Sequence, residues 1–555
     1  MADANSVSHG LATLGAGGWT VTEPSAGGRF GSVGVLTPQQ TLATQALVSE
    51  AGIPFRLKAT AVAGAAYPGT EFSALTSTAG WTVTTTGTGG SVTPTTMADG
   101  QPGLQFAVNA GTATASITWS AADAGILYDQ TTTIGLWLEI ADPGRAAGMS
   151  ILVSNEAGQT FTNWVWLSAG GSGGAVFRGM YFLNMCIVDG AAGGGTFAAS
   201  GRISSIRIRL NSSYQGQGAT VKARSLRINS MARPRIAVTF DDCYATAFTE
   251  GVRYMSRYGM VGTLAVNTSL IGTANRMTLA QLQAAYAMGW HICGHTQSHA
   301  AFNSHSINAI ALAQTPGAAG NLALSGSVGS AAFDVPRHVV VRAASDQGRK
   351  LTITGLDAAG APLVEDLYTW TGSYPVPSQA LFSQVTQIAI DGAATGSITV
   401  GQSRSEAQMS SDLTTVRDWL IANGMPRGAN CFVYPQGEFN ATSQALLASL
   451  GFRTARIVNG ALQSPQAGDY RRFELPGFGG GGAALDATAM SALRSRAIRQ
   501  GQNTGIYLHE LIQSGAPTST QTLVAQFQAF IDACAADMAA GKCDMVSQYE
   551  LAPPA

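Results

Sequence analysis

Charged side chains are scarce in this sequence. Only 11% of the 555 residues are Asp, Glu, Lys or Arg, and the formal net charge is −1. A chain with no basic excess and no block of like charges lacks the positive field that attracts phosphate backbones. We therefore expect no nucleic-acid partner.

Long apolar runs are also missing. No stretch approaches the roughly 20 apolar residues that a transmembrane helix needs. The N-terminus begins Met-Ala-Asp-Ala-Asn-Ser, with no basic segment followed by an apolar core, so it lacks the pattern of a signal peptide. The sequence therefore predicts neither membrane insertion nor export by a signal peptide.

Closely spaced cysteines are absent as well. The six cysteines stand at positions 186, 243, 293, 431, 534 and 543, and none forms a CxxC pair. Cysteine-ligated zinc sites and disulfide frameworks use such pairs. We expect buried or free thiols, with Cys534 and Cys543 as the one pair to examine for a disulfide.

Glycine, in contrast, is abundant, with 67 residues. This favours short strands joined by tight turns over helical bundles, and the length suggests roughly three or four domains. Residues 1–55 are polar and Gly-rich, and Thr37 is predicted to cap a short helix that starts at Pro38. This segment is either a flexible leader or an attachment segment that becomes ordered in an assembly.

Residues 56–230 consist of short β-prone runs separated by Gly-rich breaks, for example residues 133–140. The alternation predicts an antiparallel β-sandwich, whose pattern resembles the jelly-roll modules that accompany carbohydrate-active enzymes. Trp164, Trp166 and Tyr181 either pack in its core or stack on sugar rings.

Apolar strands alternate with helical patterns in residues 231–307 and 403–555. Strands are predicted at 236–240 and 263–266, and helices at 248–258, 411–424 and about 521–540. Such alternation predicts a distorted (β/α) barrel or an open α/β layer. Residues 308–402 return to β runs, so we predict a β-sandwich module inserted into a loop of the catalytic domain. The expected fold class is multidomain, α/β plus all-β.

Two groups of polar residues indicate chemistry. Asp241 and Asp242 end an apolar strand, where α/β barrels expose side chains to the active-site mouth. If a helix begins here, His295 and His299 have the i, i+4 spacing that places two metal ligands on one helical face. Alternatively, the aspartates cap a helix and the histidines are a surface pair. Taken together, they predict a metal site with two histidines and one carboxylate.

Four segments resemble motifs of the polysaccharide deacetylases, the NodB-homology or carbohydrate esterase family 4 enzymes. Residues 239–242 (Thr-Phe-Asp-Asp) and 295–299 (His-Thr-Gln-Ser-His) are similar to the first two motifs. Residues 434–437 (Tyr-Pro-Gln-Gly) are similar to the third motif, a Pro-Tyr-Gly turn, and 506–509 (Ile-Tyr-Leu-His) to the fifth.

The resemblance implies roles for five of these residues. Asp242, His295 and His299 would hold a divalent ion, Zn²⁺ in the first place, with Co²⁺ or Ni²⁺ as alternatives. Asp241 would remove a proton from water, and His509 would protonate the leaving group. The implied reaction releases acetate from an acetylated polysaccharide.

The third motif departs from the family pattern in two places. Many members have an arginine that orients the catalytic aspartate where this chain has Val433. We predict that Arg472 substitutes for it; otherwise Arg472 is a solvated side chain. Gln436 replaces the tyrosine, whose backbone N–H helps to bind the oxyanion in the family. A main-chain donor survives that change; the alternative is a plain turn.

The cellular setting follows from a further resemblance. Polysaccharides lie outside cells, yet no export signal is visible, and residues 353–365 of the inserted module resemble repeats in phage virion proteins. We expect a tail spike or fibre protein in the virion that deacetylates capsule or exopolysaccharide at the host surface. By analogy, its partners are phage tail proteins and two further copies of itself, in a homotrimer.

Two alternative functions remain open. The first alternative to a phage deacetylase is a non-enzymatic virion protein that binds a glycan receptor. The second is a bacterial deacetylase that acts on the N-acetyl groups of chitin or peptidoglycan.

Overall fold

The computed structural model describes most of the chain from residue 69 onwards and a short hairpin before it. The described residues are 11–15, 18–22, 69–111, 113–121, 124–126, 132–141, 149–154, 162–165, 179–187, 191–192, 201–211, 218–229, 233–345, 348–369, 374–458, 472–481 and 485–552. The helix predicted from Pro38 and residue Trp166 lie outside them, as do the side chains of Trp164 and Tyr181. Their roles stay predictions.

The described elements of the N-terminal part are β-strands. Its strands are β1 (Leu11–Gly15), β2 (Gly18–Thr22), β3 (Thr70–Ser73), β4 (Thr82–Gly87), β5 (Gly90–Thr96), β6 (Pro102–Val108), β7 (Ala113–Ser120), β8 (Thr133–Ile140), β9 (Met149–Ser154), β10 (Thr162–Val165), β11 (Gly179–Cys186), β12 (Ala191–Ala192), β13 (Ser205–Asn211) and β14 (Ala219–Ile228). Strands β1 and β2 pair with each other. The others form two sheets, in the orders β12-β10-β9-β13-β7-β4 and β11-β8-β14-β6-β5, and β3 pairs with β14. The strand predicted at 133–140 is confirmed.

One hydrophobic core joins these two antiparallel sheets. Ile117 and Ile208 of the first sheet and Leu104 and Leu136 of the second are fully buried in it. Inward-facing apolar side chains on alternate strand positions account for this two-layer packing. The all-β character of this part of the chain is confirmed, and its likeness to a jelly roll stays a prediction.

The remaining chain mixes α/β and all-β structure. Its first elements are β15 (Arg235–Phe240), a π-helix (Ala247–Val252), α1 (Arg253–Ser256), β16 (Thr263–Val266), a 3-10 helix (Thr268–Leu270), α2 (Leu279–Ala287) and β17 (His291–Gly294). The described strands that follow are β18 (Ser306–Gln314), β19 (Gly320–Asn321), β20 (Ala332–Arg337), β21 (Val339–Ala343), β22 (Lys350–Leu356), β23 (Pro362–Tyr368), β24 (Val376–Pro377), β25 (Phe382–Ile390) and β26 (Ile398–Gln402).

Helices and short strands alternate again after β26. These elements are α3 (Glu406–Ala422), a 3-10 helix (Pro426–Asn430), β27 (Cys431–Val433), a 3-10 turn (Pro435–Gly437), α4 (Ala441–Ser449), β28 (Thr454–Arg456), β29 (Phe478–Gly479), α5 (Ala487–Gln500), β30 (Thr504–Leu508), β31 (Glu510–Ile512), β32 (Gln521–Leu523), α6 (Val524–Ala539), β33 (Asp544–Val546) and a 3-10 helix (Gln548–Leu551).

A parallel sheet organises the α/β part, in the order β28-β27-β17-β16-β15-β30-β29, with β33 also paired to β15. The N–H of Leu475 donates to the carbonyl of Ala455 (2.8 Å), and the N–H of Ala455 donates to the carbonyl of Arg472 (2.8 Å). Phe478 pairs with Ile506 of β30. The segment 472–479, which contains β29, thus bonds to β28 at one end and pairs with β30 at the other, so the sheet curves back on itself. The predicted combination of α/β and all-β structure is confirmed.

Parallel strands place their C-terminal ends at one edge of the sheet, and this edge carries the candidate residues. Asp241, His295, Tyr434 and His509 directly follow β15, β17, β27 and β30. In α/β barrels this edge forms the active-site mouth. The motifs are far apart along the chain, but they therefore lie close together in space.

The N-terminal sheets join the α/β part at the opposite edge. The side-chain amide of Asn184, on β11, donates to the carbonyl of Gln500 (2.8 Å), and Gln502 donates to the carbonyl of Asn184. Both glutamines lie just before β30 begins at Thr504. This contact therefore lies at the N-terminal end of β30, whereas His509 follows its C-terminal end.

Strands β18 to β26 form a module of two further antiparallel sheets. Their orders are β18-β26-β21-β24 and β19-β25-β22-β23, with β20 paired to β25, and both contribute to one core. Ser306, at the start of the module, pairs with Gln402 at its end. The chain therefore leaves and re-enters the α/β part at neighbouring points, which is the arrangement that lets a parent fold accommodate an insertion.

Helix α3 begins at Glu406, five residues before the predicted start at residue 411. Ser405 Oγ accepts from the N–H of Gln408 (3.2 Å), and the Gln408 side chain accepts from the N–H of Ser405 (3.0 Å). This reciprocal capping box satisfies two of the free N–H groups at the helix start. A Ser followed three residues later by Gln is the sequence signal that was overlooked.

The final helix is also shorter than predicted. Residues 521–523 form β32, which pairs with β31, and α6 begins only at Val524.

Among the described residues, no helix is both long and apolar enough to cross a membrane.

The prediction of buried thiols is wrong for two cysteines, Cys293 and Cys431, and is confirmed for Cys243, Cys534 and Cys543. Cys293 and Cys431 form a disulfide, with Cα atoms 5.0 Å apart, whereas Cys534 and Cys543 are buried free thiols. The two bonded residues lie on β17 and β27, which are adjacent in the parallel sheet. They are 138 residues apart in sequence because the inserted module separates them, so spacing along the chain did not indicate the pair.

Candidate active site

Two carboxylates follow β15 and have different surroundings. Asp241 is 3% exposed, and its N–H donates to the carbonyl of Leu508 on β30 (2.8 Å). Asp242 and Cys243 have φ angles of 65° and 59°, so the chain leaves the strand through two left-handed residues. Arg276 donates to the carbonyl of Asp242 (2.6 Å). These contacts hold both carboxylates at the edge of the sheet.

The two histidines converge on Asp242. Its Oδ1 lies 3.7 Å from Nε2 of His295 and 3.7 Å from Nε2 of His299. No helix begins at this pair, because Thr296 and His299 have left-handed φ angles of 59° and 60°. A turn lies there instead, in which Oγ1 of Thr296 accepts from the N–H of Ala300 (3.0 Å). The turn brings both rings to the same carboxylate.

The chemistry of this donor set fits a divalent transition metal. Nδ1 of His295 donates to the carbonyl of Val433 (2.8 Å), which leaves Nε2 with its lone pair. Oδ1 of Asp242 is buried and has no hydrogen-bond partner among the described residues, an arrangement that a cation would compensate. Burial lowers the pKa of His295 to about 4, so the ring is neutral at pH 7.

The spacing of the three side chains fits zinc as well. In a tetrahedral site with bonds of about 2.1 Å, neighbouring ligand atoms lie about 3.4 Å apart. The atoms offered by Asp242, His295 and His299 all lie within 4.8 Å of one another. Small movements of the side chains would therefore complete the site.

Asp241 is paired with Arg456, which sequence reasoning missed. Arg456 ends β28, is 1% exposed and donates from Nη2 to Oδ2 of Asp241. Burial raises the pKa of Asp241, but the charges of Arg456, His295 and His509 outweigh it, and the net pKa lies below the usual value. The carboxylate is therefore ionised at neutral pH.

The prediction that Arg472 is the partner of Asp241 is wrong. Its guanidinium lies 4.7 Å from the ring centroid of Phe473, and its carbonyl accepts from Ala455, as part of the link between the outer strands. Arg456 takes the position instead because it stands at the C-terminal end of β28. An arginine inside the apolar run Thr-Ala-Arg-Ile-Val was the available signal, since a buried arginine needs a partner.

His509 completes the group. Its Nε2 lies 3.9 Å from Oδ2 of Asp242. Its Nδ1 donates to the carbonyl of Gly480 (2.6 Å), because a carbonyl oxygen can only accept. That hydrogen bond orients the ring and leaves Nε2, on the side of Asp242, for proton exchange.

Gln436 lies in the turn that follows β27. It is exposed, with φ 55° and ψ 11°, and Gly437 has φ 70°. A Cβ on Gly437 would lie 2.3 Å from Cγ2 of Val458, so this position accepts only glycine. The role expected of the Gln436 N–H stays a prediction.

Backbone strain is concentrated in these segments. Among the described residues, nine non-glycine residues have a positive φ, and five of them are Asp242, Cys243, Thr296, His299 and Gln436. Each such conformation costs about 1–3 kcal/mol and persists only where the surroundings enforce it. A cluster of this kind is typical of a functional site.

Two further histidines close to His295 in sequence, His291 and His305, do not join the site. His291 stacks on Tyr549, with ring centroids 5.0 Å apart, and His305 is exposed. Asn267, which the sequence did not suggest, is buried and donates to the carbonyl of His295 (2.5 Å). It helps to hold the residue from which the turn begins.

The segment of the α/β part that precedes the inserted module matches a known family. Residues 229–312 match the family model of polysaccharide deacetylases. This stretch contains Asp241, Asp242, His295 and His299, whereas His509 lies beyond it. This stretch is thus similar to polysaccharide deacetylases, in agreement with the first two motifs in the sequence. No curated protein matches the chain.

Several solved structures are similar at low scores. A family 4 carbohydrate esterase from Streptomyces lividans, in complex with acetate, is 13% identical with a TM-score of 0.27, over 58% of this chain and 98% of that one. The Streptococcus pyogenes deacetylase PplD, in complex with acetate, is 12% identical with a TM-score of 0.21, over 40% of this chain. The match spans about half of that protein, 55% of its length.

A viral structure is also similar at a low score. An enzymatically active domain of tailspike protein 4 from bacteriophage CBA120 is 13% identical with a TM-score of 0.18, over 30% of this chain and 21% of that one. At these TM-scores the likenesses carry no functional information.

Proposed function

We propose that this chain is a metal-dependent polysaccharide deacetylase that releases acetate from an acetylated glycan. One observation carries the proposal. Asp242, His295 and His299 offer ligand atoms within 4.8 Å of one another, and His509 and the ionised Asp241 lie beside them. The segments with the three ligands belong to the stretch that matches the deacetylase family.

Asp242, His295 and His299 would hold the metal. Two imidazoles and one carboxylate suit Zn²⁺, with Co²⁺ or Ni²⁺ as alternatives. When bound, the ion supplies Lewis acidity, which polarises the acetyl carbonyl and makes water more acidic. The side chains of Asp242 and His299 are 19% and 34% exposed, so a glycan can reach this point from solvent.

Asp241 acts as the general base. Arg456 holds one of its oxygens, while the other, Oδ1, has no hydrogen-bond partner among the described residues. Its lowered pKa keeps it ionised at neutral pH. The free oxygen accepts a proton from the water that attacks the acetyl carbonyl.

Arg456→Gln should shift the acid limb of the pH profile of kcat/KM upwards by about one to three pH units. The glutamine cannot offset the effect of burial on the pKa of Asp241. The carboxyl group then stays protonated at pH values at which the wild-type group is ionised. The measurement is the initial rate of acetate release from pH 4 to 9. Arg472→Gln is the control and should leave the profile unchanged; coincident profiles for all three proteins would contradict this role of Arg456.

His509 acts as the general acid. Its hydrogen bond to Gly480 fixes the ring and leaves Nε2 on the side of Asp242. In its protonated form, Nε2 gives a proton to the sugar nitrogen or oxygen that departs. The backbone N–H of Gln436 serves as an oxyanion donor, a role that does not depend on the side chain at this position.

The setting that we propose is a phage tail spike or fibre that trims acetyl groups from capsule or exopolysaccharide at the host surface. The support is the β-rich modular layout and the module sequence that resembles virion repeats. In that setting, the partners are tail proteins and two further copies of the chain.

The non-enzymatic alternative, a glycan receptor-binding protein, draws on the departures at Val433 and Gln436. Arg456 weakens this argument because it supplies the cation that Val433 cannot. The second alternative, a bacterial enzyme acting on chitin or peptidoglycan, uses the same side chains and differs only in the glycan.

A screen for acetate release tests the proposal. The purified chain is incubated with bacterial capsule, chitin oligomers and peptidoglycan, before and after chelation and after Zn²⁺ is restored. We expect release from at least one glycan, a fall of about a hundredfold or more on chelation, and recovery with the metal. Glycan binding without acetate release under any of these conditions would instead support the receptor-binding alternative.

A further inference from the structure

The inserted module contacts the turn that carries Gln436. The hydroxyl of Tyr374, which lies between β23 and β24, donates to the carbonyl of Gly437 (3.1 Å). Burial, followed by the negative charges of Glu438 and Glu474, raises the pKa of Tyr374. The hydroxyl therefore keeps its proton and remains a donor throughout the working pH range.

The module also contacts Glu438, the residue that follows Gly437. Glu438 is 4% exposed and forms an ion pair with Arg342 on β21 of the module (3.3 Å). The same carboxylate accepts from the hydroxyl of Ser304 (2.7 Å) and the N–H of Asn303 (3.1 Å). Those two residues follow the turn that contains His299. One buried carboxylate thus connects the module to both turns of the candidate site.

The turn needs such support because of its backbone conformation. Gln436 and Gly437 have consecutive left-handed φ angles of 55° and 70°. A non-glycine residue in this region is held there by its surroundings rather than by its own preference. Val458 limits the turn at Gly437 on one side, and Tyr374 binds the carbonyl of the same residue. Gln436 directly precedes Gly437 in the turn. The direction of the Gln436 N–H therefore depends on the contacts of Val458 and Tyr374 with Gly437.

We propose that the inserted module is part of the catalytic apparatus, and that Tyr374 is a positioning residue that fixes the turn on which the Gln436 N–H binds the oxyanion. This inference rests on the proposed deacetylase function. The module acts here through one hydrogen bond and one ion pair to the turn, and it does not itself touch the reacting atoms.

The chain offers a matched control for this idea. His338, which directly precedes β21, forms a hydrogen bond through Nε2 with Oγ1 of Thr442 on α4 (2.8 Å). This contact also joins the module to the α/β part but does not involve residues 435–438. Thr442→Val therefore removes one module contact and leaves the turn intact, whereas Tyr374→Phe removes the contact to the turn.

Two measurements on the full-length variants test the proposal. In kinetics with the acetylated glycan, Tyr374→Phe should lower kcat by about ten- to a hundredfold. KM and metal content should stay within about twofold of the wild type, since glycan binding and the ligands are unchanged. Thr442→Val should retain the wild-type kcat. Equal kcat for the two variants, in an active wild-type background, would overturn the proposal and leave the deacetylase function standing.

The second measurement does not depend on activity. Amide hydrogen exchange of the peptide that spans residues 434–440 should be about tenfold faster in Tyr374→Phe than in wild type and in Thr442→Val. Unchanged exchange in Tyr374→Phe would show that the module does not hold the turn. Faster exchange in a chain that releases no acetate would support the contact and count against the proposed function, so the two failures are distinguishable.

Discussion

Replacing Asp241 by asparagine is expected to lower kcat for acetate release by a factor of about 10² to 10⁴, the usual contribution of a general base. The amide has nearly the same shape as the carboxylate but cannot accept a proton from water. Because Asp242, His295 and His299 are unchanged, the variant should bind as much metal as the wild type. Acetate release and elemental analysis of the same preparations measure the two properties.

Folding needs a separate check in this variant. Asp241 forms a buried ion pair with Arg456, and removing one member of such a pair costs about 3–5 kcal/mol. The midpoint of thermal unfolding should therefore fall, while the assay temperature stays below it. Asp532→Asn is the control. This carboxylate also accepts hydrogen bonds from side chains, the hydroxyls of Tyr254 and Tyr258, but it is not one of the candidate site residues. A wild-type rate in Asp241→Asn would rule out the proposed mechanism.

His299→Gln should have the opposite signature, with loss of both metal and activity. Replacing a residue that only orients a metal ligand typically costs about 10- to 100-fold in metal affinity, so loss of a ligand should cost at least about a hundredfold. His299 is a better choice than His295, because its side chain is 34% exposed against 2%. Its replacement therefore leaves the core of the α/β part intact. Zinc titration followed by calorimetry gives the affinity directly.

His305→Gln is the matched control for this measurement. His305 is an exposed member of the same group of histidines, six residues further along the chain, and its loss should change neither metal content nor rate. If His299→Gln retained the metal at wild-type affinity, His299 could not be a ligand. Together with Asp241→Asn, the pair separates the residue that would bind the metal from the one that would move the proton.

Local patterns predicted much of the fold. The strand at Thr133–Ile140 and the short strand at Thr263–Val266 have the predicted bounds, because alternation and β-branched residues favour extended structure locally. The start of α3 was missed although the signal, Ser405 and Gln408, was local too. The spacing of His295 and His299 could not decide between a helix and a turn. Spacing of four residues fits a turn as well as a helix, and only the left-handed φ of Thr296 distinguishes them.

The sequence by itself determined which residues stand at the C-terminal ends of the parallel strands. Asp241, Asp242, His295 and His509 follow apolar strands, and parallel strands bring these ends to one edge whatever else the chain contains. Their meeting therefore follows from local pattern and strand direction.

Only the tertiary structure decided which residues surround and hold that group. Arg456 reaches Asp241 across 215 residues, Cys293 reaches Cys431 across 138, and Tyr374 reaches Gly437 across 63. Such contacts depend on which strands become neighbours and on how the inserted module lies against the turn. Neither property is encoded in the spacing of residues along the chain, because close packing between distant segments is settled only when the whole core forms.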